Sequence, residues 1–293
     1  MAVAHVLNVV SDEAEKLAED FRSYGDLRWL SPSKAFDIAI SNLPPGLLAN
    51  TRVSAAQKGV TADINLVTTA QRRKMLLIAD MDSTIITAEC LDELADFAGL
   101  KAHIAAITER AMRGEIEFAS ALRERVGLLK GLPLATLEQV WRERIHLTPG
   151  AKTLIATMKA HGARCLLVSG GFGYFTSRVA AACGFDEDRA NTLIDDGRTL
   201  TGMVGEPILG KEAKLAALTG EAARLGLDLA TTLTVGDGAN DLAMICEAKE
   251  HGGLGIAFHA KPMVAEAAGA RVDHGDLTTL LYLQGYTDSE MTA

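Results

Sequence analysis

The chain has 293 residues, 48% hydrophobic and 23% charged, with a formal net charge of −9. This is globular composition, long enough for two domains or for one large domain carrying an insert. The negative charge and the lack of any basic run speak against a nucleic-acid surface. No apolar stretch reaches the ~18 residues needed to cross a bilayer, so the expectation is a soluble, cytoplasmic protein with no membrane partner. The four cysteines (Cys90, Cys165, Cys183 and Cys246) show no pairing pattern, and the seven histidines no zinc-type spacing.

Residues 1–70 read as a compact unit. Val3–Val10 predicts a strand and 11–23 a polar helix. Leu27–Ser31 and Ala35–Ser41 predict two strands joined by the Ser31-Pro32-Ser33 turn, followed by a helix over Pro44–Lys58 and a strand over Val60–Val67. The order βαββαβ is the ferredoxin-like pattern. Thr68–Lys74, polar and basic, is expected to be a linker.

From residue 75 onward strands alternate with helices, which implies βαβ units and a parallel sheet. The apolar run Leu76–Ala79 leads into Asp80-Met81-Asp82-Ser83-Thr84. If the run is a buried strand, both carboxylates sit at its carboxyl end, where open α/β sheets bind ligands. The next such strand, Cys165–Val168, comes far later than a direct crossover of about 30 residues requires. The surplus, about 88–146, is helix-forming over Glu89–Phe97, Ala102–Arg113 and Ile116–Leu129, which predicts a helical cap that can close over the sheet edge. It carries Arg110, Arg113, Arg123, Arg125 and Lys130, a local positive cluster on an acidic protein. Tyr174–Ala181, Lys214–Leu225 and Asp241–Lys249 are the expected core helices.

Three further clusters follow apolar or helical runs: Ser169-Gly170-Gly171-Phe172-Gly173, Gly210-Lys211-Glu212-Ala213-Lys214, and Gly236-Asp237-Gly238-Ala239-Asn240-Asp241. With Asp80–Thr84 they resemble the four motifs of the haloacid dehalogenase (HAD) superfamily, and in detail its phosphoserine phosphatase family, over about residues 75–285. The resemblance implies a Rossmann-like HAD core over 75–293 with the cap inserted, preceded by an ACT-like domain at 1–70. The glycine clusters do not complete a dinucleotide fingerprint, because Gly171-Phe172-Gly173 is followed by Thr176, and no Walker-type loop is present.

A carboxylate attacking a phosphate dianion needs local cations. Asp80 and Asp237 can hold a hard divalent ion, for which an all-oxygen set with phosphate points to Mg²⁺. Lys214, with Lys211 as the competitor, adds a charge. Ser169 offers a hydroxyl, and the glycines after it bring backbone N–H groups close to phosphoryl oxygens. The resemblance implies Asp80 as nucleophile and Asp82 as acid/base with its carbonyl also on the metal. It also implies Asp241 behind the metal ligands, and Ser169, Gly170, Lys214 and Asn240 around the phosphate. Glu89 and Arg125 match substrate-binding positions, and Met112 and Phe118 match apolar cap positions near them. The implied activity is Mg²⁺-dependent hydrolysis of O-phosphoserine through an aspartyl-phosphate, the last step of serine biosynthesis, by a chain that can form a homodimer. A phosphotransferase, or a phosphatase for another small phosphomonoester, would use the same phosphoryl site. An aspartate-phosphorylated receiver would have no use for Asp82 as an acid, and an amino-acid sensor would account for residues 1–70 alone.

Overall fold

The computed structural model describes residues 4–112 and 115–292; Arg113, Gly114 and the side chain of Met112 lie outside the described residues. The first unit runs β1 (His5–Val10), α1 (Glu15–Phe21), β2 (Leu27–Ser31), β3 (Ala35–Ile40), α2 (Leu47–Gln57) and β4 (Asp63–Thr68). Its antiparallel sheet is ordered β2-β3-β1-β4, the ferredoxin-like arrangement the alternation predicted. β4 starts three residues later than expected. Gly59 adopts a left-handed φ of 67°, and the Val60 N–H turns back to the Ala55 carbonyl at 3.0 Å to close α2.

The second unit begins with β5 (Leu76–Ala79) and continues through α3 (Cys90–Phe97), α4 (Lys101–Met112), α5 (Phe118–Leu128), α6 (Leu134–Glu143) and α7 (Ala151–Ala160). It then runs β6 (Arg164–Phe172), α8 (Gly173–Cys183), β7 (Glu187–Asn191), the hairpin β8 (Leu193–Asp195) and β9 (Leu200–Val204), and α9 (Lys211–Leu225). The remainder is β10 (Thr232–Gly236), α10 (Leu242–Glu250), β11 (Leu254–Phe258), α11 (Pro262–Ala267), β12 (Ala270–Val272) and α12 (Thr279–Leu283). Six strands form one parallel sheet, β12-β11-β10-β5-β6-β7. β5 lies in its middle, paired with β10 and β6. All four of its residues are fully buried, which is why its sequence is continuously apolar rather than alternating.

The surplus between β5 and β6 is helical, as predicted, but includes α6, a fourth helix that starts after Pro133. The hairpin β8–β9 was not foreseen. It lies on α5, with the Gly131 N–H bonded to the Leu200 carbonyl (2.8 Å) and the Leu134 N–H to the Arg198 carbonyl (2.9 Å).

The Thr68–Lys74 segment is no free tether. Arg72 grips Asp37 of β3 with two hydrogen bonds, 2.6 and 2.8 Å, and also donates to the Leu283 and Tyr282 carbonyls. Lys74 is buried and donates to the Ala230 carbonyl at 2.6 Å. Nearby, Asp63 of β4 accepts the backbone N–H groups of Asp273, His274 and Gly275. The Asn65 side-chain amide pairs with both backbone groups of Arg271, satisfying part of the otherwise open edge of β12. The first unit therefore docks on the second through polar side chains that serve backbone groups.

Candidate active site

The site lies at the carboxyl ends of β5, β6 and β10, under the cap. The Asp80 N–H still bonds to the Val235 carbonyl at 3.0 Å, so the pairing of β5 carries on through Asp80. Residues 81–85 then make one wide turn in which Asp82 leaves helical geometry and Ser83 takes a left-handed φ of 53°.

Asp80 is 4% exposed. Its Oδ1 accepts the Met81 N–H at 2.8 Å and faces the Lys214 ammonium at 2.7 Å. Lys214 also donates to Asp241 Oδ1 at 2.6 Å. Burial works against the charge of Lys214, but the Asp80 and Asp241 carboxylates raise its pKa above the ordinary lysine value. Lys211 lies exposed at the start of α9, so between the two lysines the structure brings Lys214 to Asp80. Asp241 itself is pushed up by burial and by Asp80, with Lys214 and the Gly238 N–H opposing. Ligand oxygens of Asp80, Asp237 and Asp241 all lie within 4.8 Å of one another. Such a set of hard oxygen donors fits a divalent cation. Asp241 thus stands in the same group as Asp80 and Asp237.

Asp82 lies between the start of the cap and the Ser169–Gly171 stretch. Its Oδ1 accepts the N–H of Cys90, the first residue of α3, at 3.1 Å. A Cβ on Gly171 would fall 2.9 Å from Asp82 Oδ2 and 3.1 Å from Ser169 Oγ, so only glycine lets the loop approach this closely. Burial, reinforced by the Glu89 and Asp80 charges, pushes the Asp82 carboxyl up to about 8. A carboxyl protonated near neutral pH is what a general acid requires. Gly236 follows the same steric logic, since a Cβ there would lie 2.2 Å from Asp241 Cγ.

Ser169 is buried and accepts the Gly171 N–H at 2.9 Å. The loop is fixed from behind by Asn191, which donates to the Gly170 carbonyl (2.8 Å) and exchanges hydrogen bonds with the backbone of Leu209. Phe118 of the cap reaches down, its Cζ 3.4 Å from the Cβ position of Gly170.

Glu89 and Arg125 face the same cavity of about 340 Å³, which is also lined by Asp80, Asp82, Ser169, Gly170, Asp237 and Asn240. Glu89 accepts the Ser83 hydroxyl at 2.7 Å, and burial raises its pKa. Arg125 is held by the Ala121 carbonyl (3.2 Å) and the Thr108 hydroxyl (3.3 Å). Of the other predicted cap cations, Arg110 pairs with Glu124 and Arg123 with Glu206, and Arg113 lies outside the described residues. Sequence reasoning missed Thr108, Asn191 and Lys261, of which the first and last line the cavity. Asn191 is the last residue of β7, a strand whose charged sequence gave no period to mark it. Thr108 and Lys261 likewise carried no signal in the sequence.

A parallel sheet with a helical cap over an Asp-x-Asp strand end defines the class of site, one built to place two carboxylates beneath a closable lid. Residues 77–245 match the profile of the haloacid dehalogenase-like hydrolases, and the chain belongs to that family. It is 46% identical over 213 residues to a phosphoserine phosphatase of Polaromonas sp., an alignment covering 71% of this chain and 89% of that protein. A HAD family hydrolase from Salmonella enterica serovar Typhi superposes with a TM-score of 0.81 at 30% identity, covering 96% of this chain and 98% of that one. A probable phosphoserine phosphatase from Vibrio cholerae gives 0.78 at 30% identity, with coverages of 97% and 87%. Both solved structures thus span nearly the whole chain, first unit included. Among the described residues no helix is long and apolar enough to cross a membrane.

Proposed function

We infer that the protein is a phosphoserine phosphatase, a phosphoric monoester hydrolase that splits O-phosphoserine into serine and phosphate. The observation that carries the substrate is the pairing of Glu89 and Arg125 across one cavity from Asp80 and Asp82. Phosphoserine presents an ammonium and a carboxylate beside its phosphate. An acid and a guanidinium on the roof, facing a phosphoryl site on the floor, complement all three groups.

In the mechanism, Asp80 attacks phosphorus, the bond to the serine oxygen breaks, and Asp82 hands its proton to the departing alkoxide. Asp82 then takes a proton from water, which attacks the aspartyl-phosphate and frees phosphate and Asp80. Ser169, the N–H groups of its glycine loop, Asn240 and Lys214 hold the phosphoryl oxygens; preorganised donors of this kind contribute on the order of 10²–10³ in rate each. A Mg²⁺ held by Asp80, Asp237 and the Asp82 carbonyl, with Asp241 steadying the set, would neutralise phosphoryl charge. Residues 1–70 and the cap at about 88–146 act in this reading as a docked accessory domain and a substrate-reading lid.

The test is phosphate release from O-phosphoserine, phosphoethanolamine and glycerol phosphate, with and without an added acceptor alcohol. Preference for phosphoserine, with yield independent of the acceptor, is expected. Equal rates on all three esters would overturn the substrate. A drop in free phosphate on adding alcohol would favour the phosphotransferase instead.

A further inference from the structure

Lys261 belongs to none of the four motifs. It follows β11, the neighbour of the strand that leads into Asp237, and it lines the same cavity. Its backbone is fixed on both sides. The Lys261 N–H donates to the Asp237 carbonyl at 3.1 Å, and its own carbonyl accepts from Val264 (2.9 Å) and Ala265 (3.1 Å). Two residues earlier His259 adopts a left-handed φ of 44°. That conformation is held by the Val272 carbonyl (2.8 Å), by a ring contact to the Gly275 carbonyl (2.8 Å) and by stacking on Phe258 at 4.2 Å. Pro262 then fixes the first turn of α11. The side chain springs from a rigid base and is exposed at the mouth. Among the described residues its ammonium forms no salt bridge, while its charge acts favourably on the Asp237 carboxylate.

The cavity gives this position a task. Asp80, Asp82, Glu89 and Asp237 all face an incoming phosphate dianion. Lys214 is 2% exposed and engaged by two carboxylates, and Arg125 is on the cap. We propose that Lys261 is the capture cation of this site: it draws the phosphate group in from solvent and sets the affinity for phosphate on entry and release, without touching the reacting bond. The proposal rests on the phosphatase reading above but not on the identity of the ester.

The experiment compares wild type with Lys261→Gln, Lys261→Arg and the charge-loss control Lys152→Gln, on O-phosphoserine and p-nitrophenyl phosphate, over a range of ionic strength. Inorganic phosphate serves as competitive inhibitor. One unit charge acting on a dianion across such a mouth corresponds to about 5-fold in kcat/KM at low salt and about 2-fold at ~0.1 M. Lys261→Gln should show that loss equally on both esters, raise the phosphate inhibition constant by the same factor, leave kcat almost unchanged and flatten the salt dependence; Lys261→Arg should restore all of it. A loss that persists undiminished at high salt, a fall confined to kcat, or behaviour matching Lys152→Gln would overturn the proposal. If wild type prefers another ester to phosphoserine, the substrate assignment fails, while the Lys261 pattern should still appear on that ester.

Discussion

Replacing Lys214 with methionine keeps the length and apolar stem of the side chain and removes only its charge and donors. The ammonium lies 2.7 Å from Asp80 and 2.6 Å from Asp241, and the side chain is 2% exposed. Without it, three carboxylates whose oxygens lie within 4.8 Å of one another are left with no buried cation among them. Breaking a buried ion pair from one side costs about 3–5 kcal/mol, which for a chain of this size is a fall in Tm of roughly 6–20 °C. Protonating the carboxylates removes the repulsion, so the difference should shrink as pH falls through the carboxylate range. A divalent ion that binds only the folded state adds about 2.7 kcal/mol at 100 times its Kd, and it should bind the variant more tightly because the competing ammonium is gone. Calorimetry at pH 7.5 in chelator, then with increasing Mg²⁺, measures both effects, and turnover should stay lost after the metal has restored the fold. A Lys214→Met protein that melts with wild type in chelator would show that the triad is not held by this charge.

Asp82→Asn should lower kcat by at least ~10²-fold. Folded Asp82 keeps its proton up to about 8 while the unfolded carboxyl loses it near 4, so between those pH values the native state binds more protons and metal-free wild type should lose stability as pH rises; urea melts at pH 5 and 8 should show a flatter profile for Asp82→Asn, and identical slopes would refute the assignment. Arg125→Ala and Glu89→Gln should each cut kcat/KM for phosphoserine by at least ~10-fold, since charged hydrogen bonds contribute about 1.5–3 kcal/mol. An ester lacking the amino and carboxylate groups should be much less affected, and equal losses on both would mean these residues shape the cap instead. A fragment beginning at Gln71 should retain phosphatase activity, because among the described residues none of 1–70 lines the cavity that holds Asp80 and Asp82. It should melt below the full chain, because it loses Asp63 and Asn65 from the β12 edge. A soluble fragment with no turnover would show that the first unit completes the site.

What was legible in the sequence were segments where one environment acts on a whole run. β5 and β10 are buried on both faces and read as apolar runs ending in aspartates. β7, with the sequence Glu-Asp-Arg-Ala-Asn, was not legible as a strand. It lies at the sheet edge, where Arg164 pairs with Glu187 and Thr176 donates to Asp188. Pairing of that kind has no period along the chain. The β8–β9 hairpin did leave a trace in Asp195-Asp196-Gly197, whose carboxylates accept the N–H groups of Gly197, Arg198 and Thr199. This is the turn chemistry expected of Asp and Gly. The basic stretch before β5 read as a linker because its partners, Asp37 and the carbonyls of Ala230 and Tyr282, are distant in sequence.

The same distinction explains how a protein of net charge −9 can be built around an anionic substrate. A cluster of arginines in one helical segment looked like the local counter-charge, yet surface acids consume Arg110 and Arg123. Among the described residues, the cations that reach the cavity or its floor come from three separate elements: Lys214 from α9 beneath, Arg125 from α5 above, and Lys261 after β11 at the mouth. Each meets a different demand. The buried ammonium must balance carboxylates before any substrate arrives, so it is fully engaged by them. The guanidinium, in the proposed reading, grips a planar carboxylate, and Thr108 and the Ala121 carbonyl set its orientation. The exposed ammonium needs only its charge: among the described residues it forms no salt bridge, and its backbone is what is fixed. In the proposed reading, distributing the charge in this way offsets the repulsion between the acids of the cavity and an anionic substrate.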